Sequence, residues 1–546
     1  MKRKAVAAVL TAVMVASMFT GCGSDNGSSS AKSASAASAA SAANDTVDED
    51  GKVNGIMYQE GLPLVDEGDY TFSIFCDDSS ESGEFIMLDE FKKQTNVDVD
   101  LKIYPYETAT ERLNLDLNSG DYADVIGGWT LSDNAILTYG VNQGVFIPLE
   151  DYFEKYCPNI SAILDLPGVR EKMTAPDGHI YTIPYVCTDT TVGYSPYINT
   201  KWLENVGMSM PTTTDEFEAV LKAFKEQDAN GNGDASDEIP FSTDPNNKHI
   251  EAMAGYFGLP MNKLGIAIQN EKVVYGGVSD TYREFLSWFH KLYAEGLVDV
   301  ELYTQDSSTW EGKGNQDLYG VSIAYGSNEF TGIPAAEERG DFDSMPVLNT
   351  DKDGIWLRDT EGFSVYRTQA VITNKAEHPE IICRWFDNAF ALENGIGCNR
   401  GPVGVIVNKE DDGYHAIDTT TLSEEDQEKY SWGNLWPQSL PKYLPVDFEF
   451  VEEHPMYDEK KATEEAYEAN LTKEIIPSYW IDLDKIDTFS DTNTAIKAFF
   501  EQQQAQFVCG ELDIDNDADW QAYVDGMYSL GLEDWVATQG IEEIAK

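Results

Sequence analysis

Basic residues are scarce in this chain. Lys and Arg together number 37 against 96 Asp and Glu, a formal net charge of −59. Binding a nucleic-acid backbone takes clustered Lys and Arg, so nucleic acid is excluded as a partner. Anionic lipid headgroups are excluded as the main partner for the same reason. Histidine is rarer still: six residues, at 179, 249, 290, 378, 415 and 454, with no HExxH and no pairing at metal spacing. There is no GxSxG elbow and no P-loop. No internal repeat is present, which a surface scaffold or adhesin would need. Seven cysteines include no CxxC. Six of them (76, 157, 187, 383, 398, 509) read as buried thiols, because a chain this long builds its core without staples; disulfides are the alternative.

Apolar residues make up 42% of the 546 and aromatics 12%. That supplies cores for two to four domains of about 100–200 residues each. The acidic excess then reads as a solubilising surface on an exported protein.

The chain begins "MKRKAVAAVLTAVMVASMFTGC". Lys2, Arg3 and Lys4 precede a short apolar stretch from Ala5 to Phe19, below the ~20 residues of a membrane-spanning helix. Thr20 and Gly21 then precede Cys22. This resembles a bacterial lipoprotein signal, although Phe19 stands where that pattern prefers Leu. The resemblance implies removal of residues 1–21 and diacylation of Cys22, two acyl chains being enough for a stable anchor. An ordinary cleaved leader is the alternative. Residues 22–60 are rich in Ser, Ala and Gly and read as a disordered tether.

From residue 68 the pattern is regular. "DYTFSIFCDD" alternates as a strand, "SGEFIMLDEFKKQTN" puts Phe85, Leu88 and Phe91 on one helical face, and "VDVDLKIYPY" alternates again. "ATERLNLDLNSGDYADVIGGW" adds a helix, a turn and a short strand ending at Trp129. This βαβαβ unit predicts an α/β fold with a mostly parallel sheet. A second α/β region starts near residue 194. Its helix opens on a capping box, Thr213 and Glu216, and buries Phe217, Leu221 and Phe224. Another helix carries Tyr282, Phe285, Phe289 and Leu292 inward, with Gly296 at its end. A third, after Pro379, buries Ile382, Trp385, Phe386 and Phe390. Residues 408–460 read as irregular, and the C-terminus as helical.

Residues 228–240 read "DANGNGDASDEIP". Asp228, Asn230 and Asn232 offer side-chain oxygens at positions 1, 3 and 5 of a calcium loop, Gly233 allows the turn at position 6, and Asp234 offers its carbonyl at position 7. The second half departs from an EF-hand. Position 12 is Ile239, the acids Asp237 and Glu238 sit at positions 10 and 11, and Pro240 rules out an exit helix. A sensor needs that second helix. The loop therefore reads as a structural Ca²⁺ site, with a metal-free polar turn as the alternative. The run "ELDIDNDADW" lacks the glycine and reads as helix N-capping before Trp520.

Sugar rings stack their apolar faces on aromatic side chains, and solutes in open α/β sheets sit at strand carboxyl ends. Trp129 and Asp77 occupy such ends. Trp310, Tyr325, Trp432 and Trp436 fall in segments without periodicity. Tyr194 opens the second region, and Arg400 in "CNRGPVG" is a candidate clamp for hydroxyls or a carboxylate.

"FTGC", "LNSGDYADVIGGW", "GVFIPLEDYFEKYCPN", "MTAPDGHIYTIPY", "YINTKWLENVGMSMPTTTDEFEAVLKAFKEQDANGNGDASDEIPFS", "LYAEGLVD" and "GELDID" run through the chain in order. Together they resemble the extracellular solute-binding lipoproteins of ABC transporters, family 1, in the large calcium-containing subgroup. The resemblance implies a type II periplasmic-binding-protein-like fold of two discontinuous α/β lobes with a cleft between them. It places lobe 1 at 68–190 and 365–410, and lobe 2 at 195–357 and 420–546, with crossovers near 190–195 and 357–370. It implies calcium on Asp228, Asn230, Asn232, Asp234, Asp237 and Glu238. It also implies a monomer that captures an oligosaccharide or other small solute and passes it to permease subunits, anchored on the outer face of the cell membrane, with no catalysis. A secreted glycoside hydrolase or lyase, or a peptide- or polyamine-binding protein of the same fold, is the competing reading. With so many acids, a catalytic carboxylate pair is not removed by counting.

Overall fold

The computed structural model describes residues 45–545, apart from 79–83, 245–248, 333–339, 418, 446–447, 449 and 452–454. The leader, Cys22 and most of the tether lie outside the described residues.

The βαβαβ unit forms as its periodicity predicts. Strand Tyr70–Asp77, helix Ile86–Thr95, strand Val97–Tyr104, helix Tyr106–Ser119 and strand Val125–Gly127 follow in order. Both neighbours of Tyr70–Asp77 run parallel to it. Strand Phe363–Ile372 then inserts antiparallel beside Val125–Gly127, and Thr182–Thr188 closes the five-stranded sheet. Helix Ile86–Thr95 buries Met87 and Phe91, and Pro379–Ala389 buries Ile382, Trp385 and Phe386. Together with Phe72, Ile74, Val125 and Ile372 these form the first core.

A second sheet orders strands Phe342–Ser344, Ser195–Asn199, Tyr319–Ala324 and Ile239–Thr243. Helix Thr214–Glu226 starts at the predicted cap, with Thr213 Oγ1 accepting the amide of Glu216 at 3.2 Å. The Glu216 carboxylate reaches back to the amide of Thr212 rather than that of Thr213, at 2.9 Å. Phe217, Leu221 and Phe224, with Tyr282, Phe285, Phe289 and Leu292 of helix Asp280–Ala294, are buried in the second core. Gly296 takes the left-handed conformation (φ +69°) just past that helix, where a side chain is strained. The long helix Ile486–Cys509 and the two that follow it complete this core.

The chain passes between the cores at 189–194, after strand Thr182–Thr188, and again at 359–362, before strand Phe363–Ile372. The sequence put the crossovers near 190–195 and 357–370. Two boundaries differ. Val53 and Met57 are buried in the first core, so the tether stops short of residue 60. Residues 432–443 pack with the first lobe: Trp436 and Leu440 are wholly buried in its core, Tyr443 packs against it, and Trp432 lies beside Lys442. Trp436 fills the space between helices Ile86–Thr95 and Pro379–Ala389, 5.2 Å from Phe91 and 5.7 Å from Trp385 between ring centroids. The six cysteines beyond Cys22 are all free thiols. Among the described residues, no helix is long and apolar enough to cross a membrane.

Candidate functional site

An aromatic floor lies at the edge of the first-lobe sheet where strand Val125–Gly127 runs out. Tyr185 and Tyr366 are partners across strands Thr182–Thr188 and Phe363–Ile372, and their rings stack at 5.5 Å. Trp129 meets Tyr366 edge-on at 5.2 Å, with 46% of its surface exposed. Such geometry matches the quadrupoles of the rings and fixes Trp129 while leaving it accessible. The floor continues through Lys442, whose ammonium lies 5.8 Å over Tyr185 and 5.3 Å over Trp432. Trp432 is 51% exposed. Burial lowers Lys442 to about 8.

Tyr325, one residue past strand Tyr319–Ala324, heads the second-lobe wall. Tyr194 packs edge-on against it at 6.1 Å and stacks on His249 at 4.0 Å. Burial, and to a smaller degree Lys263, lowers His249 to about 4, and its Nε2 is buried without a hydrogen-bond partner. Lys460 sits 3.9 Å over the Tyr325 ring and donates to the carbonyls of Gly193 (2.9 Å) and Tyr325.

Asp189, at the start of the first crossover, joins the two walls. Its carboxylate accepts the hydroxyls of Tyr325 (3.1 Å), Tyr366 (3.3 Å) and Ser364 (2.5 Å), and the amide of Thr190 (2.8 Å). On the return crossover, Asp359 accepts the amide of Gly193 at 2.6 Å. Both acids are therefore engaged in holding the crossover.

Of the residues singled out in the sequence, Trp129 and Trp432 lie on the floor, and Tyr194 and Tyr325 on the opposite wall. Asp77 is fully buried beneath the floor and accepts the amides of Trp129 (3.0 Å) and Thr130 (2.6 Å), so it positions Trp129 instead of meeting a solute. Arg400 ends helix Leu392–Arg400, half-buried, 5.9 Å over Phe450. Two residues are corrected. Trp310 is in helix Ser307–Asn315, buried against Phe330, with its indole N–H donated to Ser322 Oγ at 3.1 Å. Trp436 is in the first core. Neither ring reaches the cleft, because each fills an apolar gap between packed elements. Tyr185, Tyr366, Asp189 and His249 were not foreseen. Tyr185 and Tyr366 sit in ordinary strand patterns and meet only through strand pairing.

The loop after helix Thr214–Glu226 leads into strand Ile239–Thr243, with no exit helix. Its acids are engaged within the loop. Asp237 accepts the side-chain amides of Asn230 (3.2 Å) and Asn232 (2.7 Å), Asp228 accepts the amide of Gly233 (3.0 Å), and Glu238 that of Ala229 (2.9 Å). Asp228 Oδ1 and Glu238 Oε2 are buried without partners. Buried unpaired carboxylate oxygens are costly unless a cation meets them. The Asp234 carboxylate turns to Ser236, which leaves its carbonyl as the atom on offer. The donor set fits a hard cation.

Two α/β lobes, linked by crossovers and lined with aromatics where they meet, define the solute-binding class of fold. Residues 78–395 match the bacterial extracellular solute-binding protein family, to which this chain belongs. The chain is 31% identical over 411 residues to the fructooligosaccharide ABC transporter substrate-binding protein FusA of Streptococcus pneumoniae, covering 73% of this chain and 70% of that protein. The structure of FusA in complex with kestose matches with a TM-score of 0.75 and 26% identity, over 86% of this chain and 98% of that one. An EF-hand mutant of FusA in complex with fructo-nystose matches with a TM-score of 0.72 and 27% identity, over the same shares.

Proposed function

We propose that this protein captures a neutral oligosaccharide between its lobes and delivers it to the permease of an ABC importer, itself making and breaking no bond. The observation that supports this most is the floor of Trp129, Tyr366 and Tyr185, coupled through Asp189 to Tyr325 on the other lobe. Rings of this kind take the C–H faces of sugars, and the crossovers at 189–194 and 359–362 serve as the hinge. The match to FusA supports a fructooligosaccharide as the first solute to try.

Three further features belong to this reading. The lobes comprise the two cores, with 432–443 in the first. The loop 228–238 holds a structural Ca²⁺ that ties helix Thr214–Glu226 to the next strand, away from the cleft; the metal supplies charge neutralisation there, and the EF-hand of FusA supports it. Cys22 carries lipid, so that a monomeric protein stays near its permease on the outer face of the membrane.

Titration calorimetry of residues 45–546 against kestose, nystose and a panel of other neutral oligosaccharides tests the proposal. Saturable binding without turnover is expected. Binding only to peptides or polyamines, or hydrolysis of a chromogenic glycoside, would overturn it.

A further inference from the structure

A turn at Asp411 and Asp412 joins strands Val407–Glu410 and Gly413–Ala416 into a hairpin. Glu410 is paired with Gly413, Lys409 with Tyr414 and Asn408 with His415. Side chains alternate across a strand, so Lys409 and Tyr414 share one face of the hairpin. Glu410 and His415 share the other, as diagonal neighbours within reach of each other. The first face is tied down. Glu393, on helix Leu392–Arg400, accepts Lys409 Nζ at 2.8 Å and the Tyr414 hydroxyl at 3.3 Å. At the root of the hairpin Val407 is wholly buried, and the Ile417 amide donates to the Ile406 carbonyl at 2.9 Å.

The second face gathers metal-binding groups. Asp412 folds back from the turn and places Oδ1 2.9 Å from His415 Nε2. One ligand atom each from Glu410, Asp412 and His415 lies within 4.8 Å of the other two. The carboxylates are exposed, and the imidazole is set deeper, with 17% of its side chain exposed. Among the described residues neither acid pairs with a Lys or Arg. A His–Asp ion pair accounts for two of the three groups. It does not account for Glu410, whose charge stands beside that of Asp412 with Asp411 next to both; like charges this close repel, and a bound cation relieves them.

The donor types choose the metal. Calcium and magnesium take oxygen ligands, whereas one imidazole nitrogen with two carboxylate oxygens suits zinc. Zinc binds both kinds of atom at about 2.0–2.2 Å in tetrahedral geometry, which sets the ligands about 3.4 Å apart. An exposed side chain such as Glu410 closes the remaining ångström or so by changing rotamer. Three protein ligands leave the fourth position to water.

We propose that Glu410, Asp412 and His415 form a zinc site on this hairpin, unlike the all-oxygen loop at 228–238 in its donors. The ion pins the turn to the strand and needs no solute in the cleft.

The test is calorimetry with zinc chloride on residues 45–546, stripped with chelator, freed of it and then saturated with calcium so that the other loop is filled. The wild type is compared with His415→Ala, Glu410→Gln and His179→Ala, the last removing the imidazole that pairs with Glu150 elsewhere on the surface. Melting temperature without zinc checks folding, and exposed positions of this kind tolerate substitution. One zinc per chain is expected in the wild type. Affinity should fall at least about tenfold in both hairpin variants and change less than about twofold in His179→Ala. Zinc should also raise the melting temperature of the wild type and not that of His415→Ala. A wild type that binds no zinc, wild-type affinity in either hairpin variant, or an equal loss in His179→Ala overturns the site.

Discussion

The carboxylate of Asp77 lies under the backbone of Trp129 and holds two successive amides, Trp129 at 3.0 Å and Thr130 at 2.6 Å. Gly128, just before them, adopts φ +132°, and a Cβ there would stand 2.2 Å from the same carboxylate. The cleft tryptophan is thus set by a buried acid and a residue with no side chain.

Asp77→Asn leaves one acceptor oxygen for two amides and is expected to weaken oligosaccharide binding without any contact to the solute. The lost hydrogen bond costs about 1–3 kcal/mol because the orphaned donor is buried. Trp129→Ala should cost affinity by about tenfold or more while leaving the melting temperature within a degree or two, since its ring is half exposed. Calorimetry and thermal unfolding on both variants separate the roles. An Asp77→Asn protein with wild-type affinity would show that Trp129 is held by other means.

Chelation provides a second check. With Asp228 Oδ1 and Glu238 Oε2 buried and unpartnered, removing a bound cation exposes their repulsion and lowers stability. EDTA should lower the melting temperature by several degrees, at about 2–4 °C per kcal/mol of binding energy in a lobe of this size, and calcium should restore it. In the Glu238→Gln protein the response should be lost while kestose affinity stays within twofold. Melting curves that ignore EDTA would leave the loop as a polar turn.

Lys460 predicts a pH dependence. Burial lowers its ammonium to about 8, against the opposing pull of Glu459, Glu329, Asp189 and Asp359. A free lysine titrates near 10.4. Between these values the unfolded chain keeps the proton that the folded chain has released, so this group adds stability as pH rises through the window. Relative to Lys460→Met, the wild type should gain with pH between about 8 and 10, by at most about 3 kcal/mol, and run parallel to the variant below about pH 7. Urea unfolding across that range measures it. A difference that falls with pH would mean that Lys460 is held charged by its carbonyl partners.

The sequence revealed the fold through features that are local. Alternation marked the strands of the βαβαβ unit, a 3.6-residue stripe marked Phe217, Leu221 and Phe224, and Thr213 with Glu216 marked a helix start. The candidate calcium loop stood out for the same reason, its residues being contiguous. The cleft was only half legible. Trp129 was singled out because it follows a strand end, and Tyr325 because its segment lacks periodicity. Tyr185 and Tyr366 meet through pairing between strands about 180 residues apart in the chain, which no local pattern encodes. Asp189 looks like any other acid until its four donors are seen. Absence of periodicity proved a poor guide to exposure: besides Tyr325 it selected Trp432, which is half exposed, and Trp310 and Trp436, which are buried.

Those last tryptophans supply a direct contrast. Trp432 and Trp436 lie four residues apart, one beside Lys442 on the cleft floor and the other against Phe91 and Trp385 in the core. Trp436→Ala opens a cavity among rings that cannot collapse into it, and should cost about 3–5 kcal/mol of stability. It should change solute affinity little in whatever fraction remains folded. Trp432→Ala removes a ring that is already half in water, so stability should stay within about 0.5 kcal/mol while affinity falls. Lys442, relieved of the ring above it, gains access to solvent, and its amine should titrate higher than the value of about 8 that burial imposes. Urea unfolding, calorimetry and the rate of Lys442 acetylation against pH read these three effects separately. Loss of stability in the Trp432 variant equal to that in the Trp436 variant would place both rings in the core and remove Trp432 from the cleft.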